Sequence, residues 1–367
     1  MRIKPFKALF PDIKMVPKAD SFFSVMKQEF PYYLKNSFFK RTKEPHLYLY
    51  QIEQLGKKSL GLVASTSVED IKENKILKHE NTIAMKEQQM LDLALQRNAM
   101  IKPVLLAHDT NKSLKNIYQE ILKGKPFLEI PFTEEKSTHK IWKIKDQRTI
   151  EKITDIFNTD FKKTYIADGH HRVSTGMLLN QNKRKSKADF GDLLSIYFSF
   201  DDLTIYDYNR VVSILKEVSP TELIASLSKY FKMKQIKALR KPREKHEIIF
   251  SINGENYQLL WRKKFLISGG SDKLILDARL LNKYVFGEIM GINDVRNDSR
   301  ISYIGGLAGV QGVKKQLLKN DHSVGFMLYP IQREELTHVA DAGSTLPPKS
   351  TWFEPRIKNA ILAQEFE

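Results

Sequence analysis

The sequence predicts a mixed α/β protein in which strands and helices alternate along most of the chain. Apolar stretches that end at glycine turns predict strands and hairpins. Segments with helical periodicity and recognisable ends predict the helices between them. The chain has 367 residues, of which 41% are hydrophobic, so it can bury a large core. This length predicts two or three domains of roughly 100–200 residues each.

The first 200 residues predict a region rich in strands. We expect residues 1–45 to be irregular, with phenylalanines as packing anchors. A hairpin is predicted from 46–53 and 59–66, joined through Gly56. The elements predicted to follow are a helix over 82–97, a strand over 103–107, a helix over 113–123, strands over 126–130 and 140–144, and a helix over 148–157.

The remaining residues predict further alternation. Strands are expected at 193–200 and 203–207, a helix at 220–231, and a hairpin of 246–252 with 257–261 that turns at Asn253-Gly254. A helix over 277–284 follows. The last predicted elements are a strand over 301–304, a helix over 310–320, a strand over 324–328, a helix over 331–340 and an extended tail over 349–354. We expect domains over 1–200, 201–290 and 291–367.

Composition narrows the classes of function. The net charge of +17 is compatible with binding to nucleic acid, an anionic membrane or phosphorylated small molecules. Its densest runs, at 183–187, 237–245 and 262–264, lack interleaved aromatic residues, which favours a solvated surface. The absence of cysteine excludes disulfides, thiol nucleophiles and zinc–thiolate sites, and it fits a cytoplasmic location. No apolar stretch of about 18 residues is present, so no membrane segment is expected.

The densest chemistry lies in residues 164–172. An apolar run ends in Asp168-Gly169, which predicts a strand and a tight turn, and a helix is expected through 179. Such a turn directs backbone N–H groups and the positive helix end to one point, where an anion binds. Arg172 adds a donor fork for phosphate or carboxylate, and Asp168 with His170 and His171 adds groups that exchange protons.

His79 and Glu80 precede the predicted helix over 82–97. One interpretation is a simple helix cap, with Asn81 or Thr82 supplying the capping oxygen. The other places Glu80 beside a substrate hydroxyl as a general base. The sequence leaves both open.

Two later segments also combine polar groups. Asn209 and Arg210 follow a predicted strand pair and either grip a ligand carboxylate or phosphate or serve as structural partners. Two prolines then introduce the row Lys349-Ser350-Thr351, which suits phosphate binding or a rigid edge strand. We predict no resident metal site, because adjacent residues on a helix point about 100° apart and His170 and His171 cannot share an ion. A divalent ion bridged by nucleotide phosphates, with Asp168 or Glu80 as an oxygen ligand, fits better.

These segments together resemble a bacterial and archaeal family of unknown function marked by an ADGHHR signature. The resemblance rests on residues 3–8, 78–82, 167–172, 209–212 and 347–355 and spans nearly the whole chain. That family is similar to the ParB/sulfiredoxin-like superfamily, which includes kinases that phosphorylate free serine. The resemblance implies a ParB/sulfiredoxin-like, nucleotide-binding core over 1–200. It also implies an inserted α+β subdomain over 201–290 and a C-terminal α/β region over 291–367 that completes the site.

The resemblance further implies a nucleotide-dependent phosphotransferase that acts on the hydroxyl of a small metabolite, free serine or similar, with ATP or ADP and Mg²⁺. Its implied catalytic residues are Glu80, Asp168 and His171. The residues implied for phosphate binding are Gly169, His170, Arg172, Lys349, Ser350 and Thr351, and those implied for substrate binding are His79, Asn209 and Arg210.

One position departs from the family pattern, because Ser24 stands where relatives carry an acid. This departure implies a changed substrate or a lost activity, the latter leaving a degenerate scaffold. The alternative function is a non-catalytic, nucleotide-responsive, ParB-like protein that binds nucleic acid.

Overall fold

Mixed sheets with helices between their strands form the structure, as the sequence predicts. The computed structural model describes residues 1–181, 190–267 and 274–366. The chain folds as two units, which we call unit 1 (Met1–Thr204 with Pro355–Glu367) and unit 2 (Ile205–Glu354). The predicted basic run over 183–187 lies outside the described residues. A ParB/sulfiredoxin-like core and the three predicted domains stay predictions.

The strands are numbered in chain order. They are β1 (Ile3–Lys4), β2 (Ala8–Pro11), β3 (Phe39–Arg41), β4 (Leu47–Gln54), β5 (Lys57–Ser67), β6 (Ile76–Leu77), β7 (Ala99–Met100), β8 (Val104–His108), β9 (Leu128–Phe132), β10 (Ser137–Ile144), β11 (Thr164–Asp168), β12 (Asp192–Ser199), β13 (Thr204–Tyr206), β14 (Tyr208–Ser213), β15 (Phe231–Ile236), β16 (Glu247–Ile252), β17 (Glu255–Trp261), β18 (Ile301–Gly305), β19 (Ser323–Met327), β20 (Trp352–Glu354) and β21 (Ala363–Glu365).

The helices are numbered in the same way. They are α1 (Ala19–Lys35), α2 (Glu69–Lys72), α3 (Ala84–Arg97), α4 (Lys112–Leu122), α5 (Gln147–Asp160), α6 (His170–Gln181), α7 (Pro220–Ser228), α8 (Asp277–Leu280), α9 (Gly309–Leu317) and α10 (Arg333–Asp341). A π-helix continues α8 over Leu281–Ile289. Short 3₁₀ turns occur at Ile13–Met15, Phe200–Asp202, Lys263–Phe265 and Gly306–Ala308. No helix among the described residues is long and apolar enough to cross a membrane.

Unit 1 is built on a large sheet with the strand order β6-β11-β8-β12-β5-β4-β10-β9, and β1 pairs with β5. The predicted hairpin over 46–53 and 59–66 is confirmed as β4 and β5. The central strand β8 is buried along its whole length, which explains its continuous apolar run. A smaller sheet with the order β3-β2-β21-β7 brings the C-terminal strand into the same unit.

The expectation that residues 1–45 are irregular is wrong, because α1 occupies 17 of them. Pro31 inside this helix argued against it, since proline leaves the carbonyl four residues earlier without its helical donor. Here that carbonyl belongs to Lys27, and it accepts a hydrogen bond from Arg97 Nη2 at the end of α3. Phe22, Phe23 and Phe30 bury the apolar face of α1. Tertiary contacts thus compensate for the proline.

Unit 2 contains a sheet with the order β15-β17-β16-β19-β14-β18. The predicted hairpin at Asn253-Gly254 is confirmed, and both turn residues have positive φ, of 48° and 80°. One face of the sheet is covered by apolar side chains of α7 and the π-helix. The fully buried members of this core include Leu223, Leu227, Phe231, Phe250, Leu281, Val285, Phe286 and Phe326.

Candidate functional site

The candidate site of unit 1 forms where β6 and β11 end side by side. The two strands are parallel, with Thr164 opposite Ile76 and Tyr165 opposite Leu77. Because the carboxyl ends of parallel strands lie at the same edge of a sheet, the residues after each strand meet there. The His79-Glu80 segment and the Asp168–Arg172 turn, far apart in sequence, are therefore neighbours. The predicted strand, turn and helix around Asp168 are confirmed as β11 and α6.

The end of β11 is irregular, and this irregularity directs Asp168. The pairing of β11 with β8 shifts register between Ile166 and Asp168, which indicates a bulge. Gly169 then has a φ of +112°, and a Cβ atom there would lie 2.6 Å from Nη2 of Arg172. Only glycine lets the arginine fold back over the turn. The bulge and the glycine together bring Arg172 Nη2 to 3.0 Å from Asp168 Oδ2.

Asp168 is surrounded by cations. Besides Arg172, the ammonium of Lys102 lies 3.2 Å from its Oδ2 atom, and the charge of Arg356 also acts on it. Burial by itself raises the pKa of Asp168, but these cations outweigh burial and hold that pKa far below its usual range. Arg172 and Lys102 place two positive charges against this one carboxylate. The cluster therefore has a surplus of positive charge suited to an anion.

Lys102 and Arg356 were not among the sequence candidates. Lys102 stands alone before Pro103, and Arg356 follows directly after the 347–355 segment, so position beside that segment was its only signal. Burial lowers the pKa of Lys102, with Asp168 raising it and Arg172 lowering it further. The side chain of Lys102 is 21% exposed, so a ligand that enters from solvent can reach its ammonium group.

A histidine connects the same turn to Glu80. The backbone N–H of His79 donates to Nε2 of His170 over 3.4 Å, so this network assigns the ring proton to Nδ1. Nδ1 faces Oε2 of Glu80 at 3.8 Å. Burial lowers the pKa of His170 to about 4, with Asp168 opposing, so the ring is neutral at pH 7. The neutral imidazole thus directs its N–H toward the Glu80 carboxylate, at a distance longer than a hydrogen bond.

His79 and His171 occupy different surroundings. His79 is buried, and its ring stands edge-on to His170 with centroids 4.5 Å apart. Burial and His170 lower the pKa of His79 well below its usual range. The structure shows contacts of its backbone and ring with His170, and the predicted substrate contact of His79 stays a prediction. The half-buried His171 acts electrostatically on His170 and Glu87.

The cap interpretation of the segment around Glu80 is wrong. Helix α3 begins at Ala84 with Ile83 as its N-cap, and no side-chain cap bond forms. The hydroxyl of Thr82 instead accepts a hydrogen bond from Ser174 Oγ of α6 over 3.4 Å. This contact ties the loop that carries Glu80 to the helix that carries Arg172.

A pocket of about 270 Å³ opens beside the cation cluster. Arg172 and Lys102 line it together with the cations Lys27 and Arg97. Its apolar lining comes from α3 and the strand after it, through Met90, Leu93, Ala94, Ala99, Met100 and Ile101. A pocket with one cationic and one apolar part suits a ligand that joins phosphates to an aromatic base.

The other predicted residues lie in unit 2 and form a group of their own. Arg210 donates through Nη2 to the carbonyl of Lys349 over 3.3 Å, and Asn209 Oδ1 accepts from the backbone N–H of Leu328. The hydroxyl of Ser350 donates to the carbonyl of Pro347 at 2.7 Å. Thr351 is half-buried just before β20. The fold thus brings the segments around 209 and 349 together. The sequence contained a separate signal for each segment but did not show that they meet.

Ser24 lies on the exposed side of α1, where its hydroxyl donates to the carbonyl of Ser21 at 2.7 Å.

Some cations of the basic runs make contacts within the fold. Arg240 pairs with Glu247, and Arg262 donates to the carbonyl of Ser228. These internal contacts leave fewer cations for an extended nucleic-acid surface.

Within the described ranges, no group of three or more acidic or histidine side chains is placed to hold a metal ion. The predicted Mg²⁺ contact of Asp168 fits poorly, because two cations already lie within 3.2 Å of one carboxylate oxygen and would repel a third. The carboxylate of Asp168 contacts Arg172 and Lys102 in the structure, and its predicted catalytic role stays a prediction.

Comparison with solved structures finds similarity at low identity. Free serine kinase in complex with AMP is 14% identical, with a TM-score of 0.42, over 82% of this chain and 92% of that one. A mutant of free serine kinase in complex with ADP is 14% identical, with a TM-score of 0.42, over 84% and 95%. SbnI with a C-terminal truncation from Staphylococcus aureus is 12% identical, with a TM-score of 0.42, over 81% and 85%. TM-scores below 0.5 do not bear on the chemistry of the site.

Comparison with curated proteins finds no match. The profile of one sequence family does match, and its description is "Protein of unknown function (DUF1015)". It covers residues 10–283, which include the candidate site at Glu80 and Asp168–Arg172. This span is well over half of the chain, so the protein belongs to the DUF1015 family.

Proposed function

We propose that the protein is a nucleotide-dependent phosphotransferase that acts on the hydroxyl of a small metabolite such as free serine. One observation carries the proposal: a cluster with surplus positive charge lies at the same turn as a neutral histidine that faces the carboxylate of Glu80. Arg172 of this turn and Lys102 form the cation cluster around Asp168, and His170 of the same turn faces Glu80. Phosphoryl transfer requires positioning, neutralisation of phosphate charge and a group that accepts the hydroxyl proton. The resemblance to the ParB/sulfiredoxin-like superfamily implies the same class of reaction.

The pocket beside the cluster binds the nucleotide. Its apolar part, with Leu93 and Ile101, takes the base. Its cationic part places Lys102 and Arg172 against the phosphates, and Gly169 at the start of α6 adds the positive end of the helix. Because the phosphates of ATP or ADP compensate the surplus positive charge, these nucleotides should bind more tightly than a neutral ligand. Mg²⁺ that arrives with the nucleotide supplies further neutralisation of phosphate charge.

Glu80 is the general base in this proposal. As the acceptor oxygen attacks the terminal phosphorus, the hydroxyl proton passes to the Glu80 carboxylate and the bond to the leaving phosphate breaks. His170 Nδ1 faces the carboxylate at 3.8 Å, and the backbone N–H of His79 donates to Nε2 of His170. The side chain of Glu80 is 39% exposed, so an acceptor can reach it.

The test incubates the full chain with Mg²⁺, ATP or ADP, and serine or a pool of hydroxylated metabolites, and detects phosphorylated products by mass spectrometry. Glu80→Gln is expected to lower the rate by about 10²–10⁴-fold with unchanged nucleotide affinity. Lys102→Ala is expected to weaken nucleotide binding. The matched control is Glu53→Gln on β4, which removes only a loose pair with Lys58 at 3.9 Å and should keep full activity.

The outcomes separate the alternatives. A wild-type protein that forms no product and shows no change in melting temperature with any nucleotide contradicts the proposal. A nucleotide-dependent rise in melting temperature without any product supports the non-catalytic alternative instead. Equal rates for Glu80→Gln and Glu53→Gln contradict the role of Glu80.

A further inference from the structure

Strand β10 of unit 1 is paired along only part of one edge. On its other side, β4 pairs with every residue of β10 from Ser137 to Ile144. Strand β9 pairs with Ser137–Ile141, and in the described structure residues 142–144 have no strand on that side. An unpaired strand edge offers its backbone N–H and C=O groups to another chain.

The backbone of Lys143 faces this open edge. The N–H of Phe127 donates to the carbonyl of Ile141 at 2.7 Å, so Ile141 faces the β9 side. Backbone groups alternate between the two sides of a strand, so Lys143, two residues later, faces the β9 side as well. Within the described ranges, residues 124–127 form no hydrogen bond with the backbone of Lys143. Its N–H and C=O can therefore pair with an incoming strand.

A groove of about 500 Å³ lies along this edge. Its lining combines residues of the edge with Gly124, Lys125 and Phe127 before β9 and with the start of α5. The indole Nε1 of Trp142 donates to the carbonyl of Gly124 over 2.8 Å, which ties the segment before β9 to the edge. A groove of this size takes a few residues of an extended chain.

The two faces of the sheet differ at this edge. Successive residues of a strand point to opposite faces, so Lys143, and Lys145 just after the strand, lie on one face. Trp142 and Ile144, both buried, lie on the other. An added strand continues both faces. It places one set of alternate side chains beside the lysines and the other set beside the apolar pair.

The groove has a surplus of positive charge. Among the described residues, no carboxylate oxygen lies within 4.0 Å of the ammonium groups of Lys125, Lys143 or Lys145. Burial lowers the pKa of Lys143, and the charge of Lys145 lowers it further, so these two cations repel each other. Asp146 also lines the groove, but its carboxylate already accepts from the N–H and the hydroxyl of Thr149 at 2.9 and 2.7 Å. An acidic partner relieves this repulsion.

Other occupants suit the groove less well. A single-stranded nucleic acid needs open aromatic faces on which its bases stack. Here the ammonium of Lys143 lies 3.5 Å from the centroid of the Phe127 ring, and Trp142 is 6% exposed. A second copy of the chain is disfavoured by the net charge of +17 that each copy carries.

We propose that the open edge of β10 binds an extended acidic segment of a partner protein as an added strand. The segment alternates acidic residues, which lie beside Lys143 and Lys145, with apolar residues, which lie beside Trp142 and Ile144. Backbone pairing with Lys143 supplies affinity, and the alternating side chains supply specificity. The site does not depend on the proposed function of unit 1, so either can fail without the other.

The test titrates the full chain with a short fluorescein-labelled peptide of alternating glutamate and valine, followed by fluorescence anisotropy. One reference is the same peptide with N-methylated glutamates, which keeps the charge but removes the backbone donors that face β10. The other reference is an oligothymidylate of equal charge. We expect saturable binding of the first peptide and binding of the methylated peptide that is weaker by about fivefold or more. Hydrogen exchange with mass spectrometry should show protection of residues 142–145 on binding.

Lys125→Glu and Lys145→Glu change exposed side chains, and each should weaken binding by about fivefold or more. The matched control is Lys319→Glu, the same change of charge at an exposed lysine of unit 2, which should retain the affinity.

Equal affinity for the two peptides, or no protection of residues 142–145, overturns the proposal. So does an oligothymidylate that binds as tightly as the first peptide and loses affinity in the same variants, because the groove then binds a phosphate backbone. Should a variant fail to fold, the comparison of the two peptides on the wild-type chain decides.

Discussion

Replacing Asp168 with asparagine tests whether this carboxylate holds the cation cluster of unit 1 together. Asparagine keeps the size of the side chain and removes its charge, so Arg172 and Lys102 lose their shared partner at 3.0 and 3.2 Å. The exposed fractions of the side chains are 39% for Asp168, 13% for Arg172 and 21% for Lys102. The pairs therefore lie between exposed ion pairs, worth about 0–1 kcal/mol, and buried pairs, whose disruption costs about 3–5 kcal/mol.

We expect Asp168→Asn to lower the free energy of unfolding by about 2 kcal/mol at pH 7. For a unit of this size, that is a fall in melting temperature of about 4–8 °C. The assay is urea unfolding from pH 7 down to pH 3. Because folding lowers the pKa of Asp168, its stabilisation is present above the unfolded value of about 3.9 and fades as the pH falls below it. The difference between the two proteins should therefore shrink below about pH 4.

The control for this experiment is Asp155→Asn, an exposed aspartate on α5, which should change stability by less than about 0.5 kcal/mol. A loss for Asp168→Asn no larger than that of the control would refute the reasoning. So would a difference that stays constant down to pH 3, since it would then not come from the charge.

Three further predictions concern the same turn. Gly169→Ala should lower the free energy of unfolding by at least about 2 kcal/mol, because it combines a positive φ with a Cβ 2.6 Å from Arg172. Gly56→Ala has a φ of +78° and no atom within 4 Å, so it should lower that free energy by only about 1 kcal/mol. Urea unfolding of both variants measures the difference, and equal losses would contradict the prediction. Folding lowers the pKa of His170 from 6.5 to about 4, so its stabilisation is present above pH 6.5 and is lost as the pH falls toward 4, by up to about 3 kcal/mol. His170→Gln should make the free energy of unfolding depend less on pH over this range. An unchanged pH dependence would exclude His170 as the cause. His170→Gln should also lower the transfer rate more than nucleotide affinity, measured by kcat and KM separately, and an effect on affinity alone would contradict its positioning role.

Local sequence determined the elements whose ends are marked by characteristic turn residues. The hairpins follow from Gly56 and from Asn253-Gly254, residues that tolerate positive φ and lie between apolar runs. The strand, turn and helix around Asp168 follow from an apolar run that ends at Asp-Gly. In each case the decisive chemistry lies within a few neighbouring residues.

Tertiary structure decided what depends on distant partners. Pro31 disfavours a helix locally, and the Lys27 carbonyl that it leaves without a helical donor accepts a hydrogen bond from Arg97. The parallel pairing of β6 with β11 brings Glu80 to His170, although β6 is only two residues long and carries no periodicity to read.

The sequence alone also did not predict the positive charge of the site. Lys102 and Arg356 are ordinary cations in a chain with 60 lysines and arginines, and only folding places them beside Asp168. Arg210 likewise shows its burial and its bonds to two carbonyls only in the folded structure. Sequence thus determined which groups are available and the local turns that carry them. Long-range packing decided which groups meet, because an ion pair depends on distances in space that residue spacing does not encode.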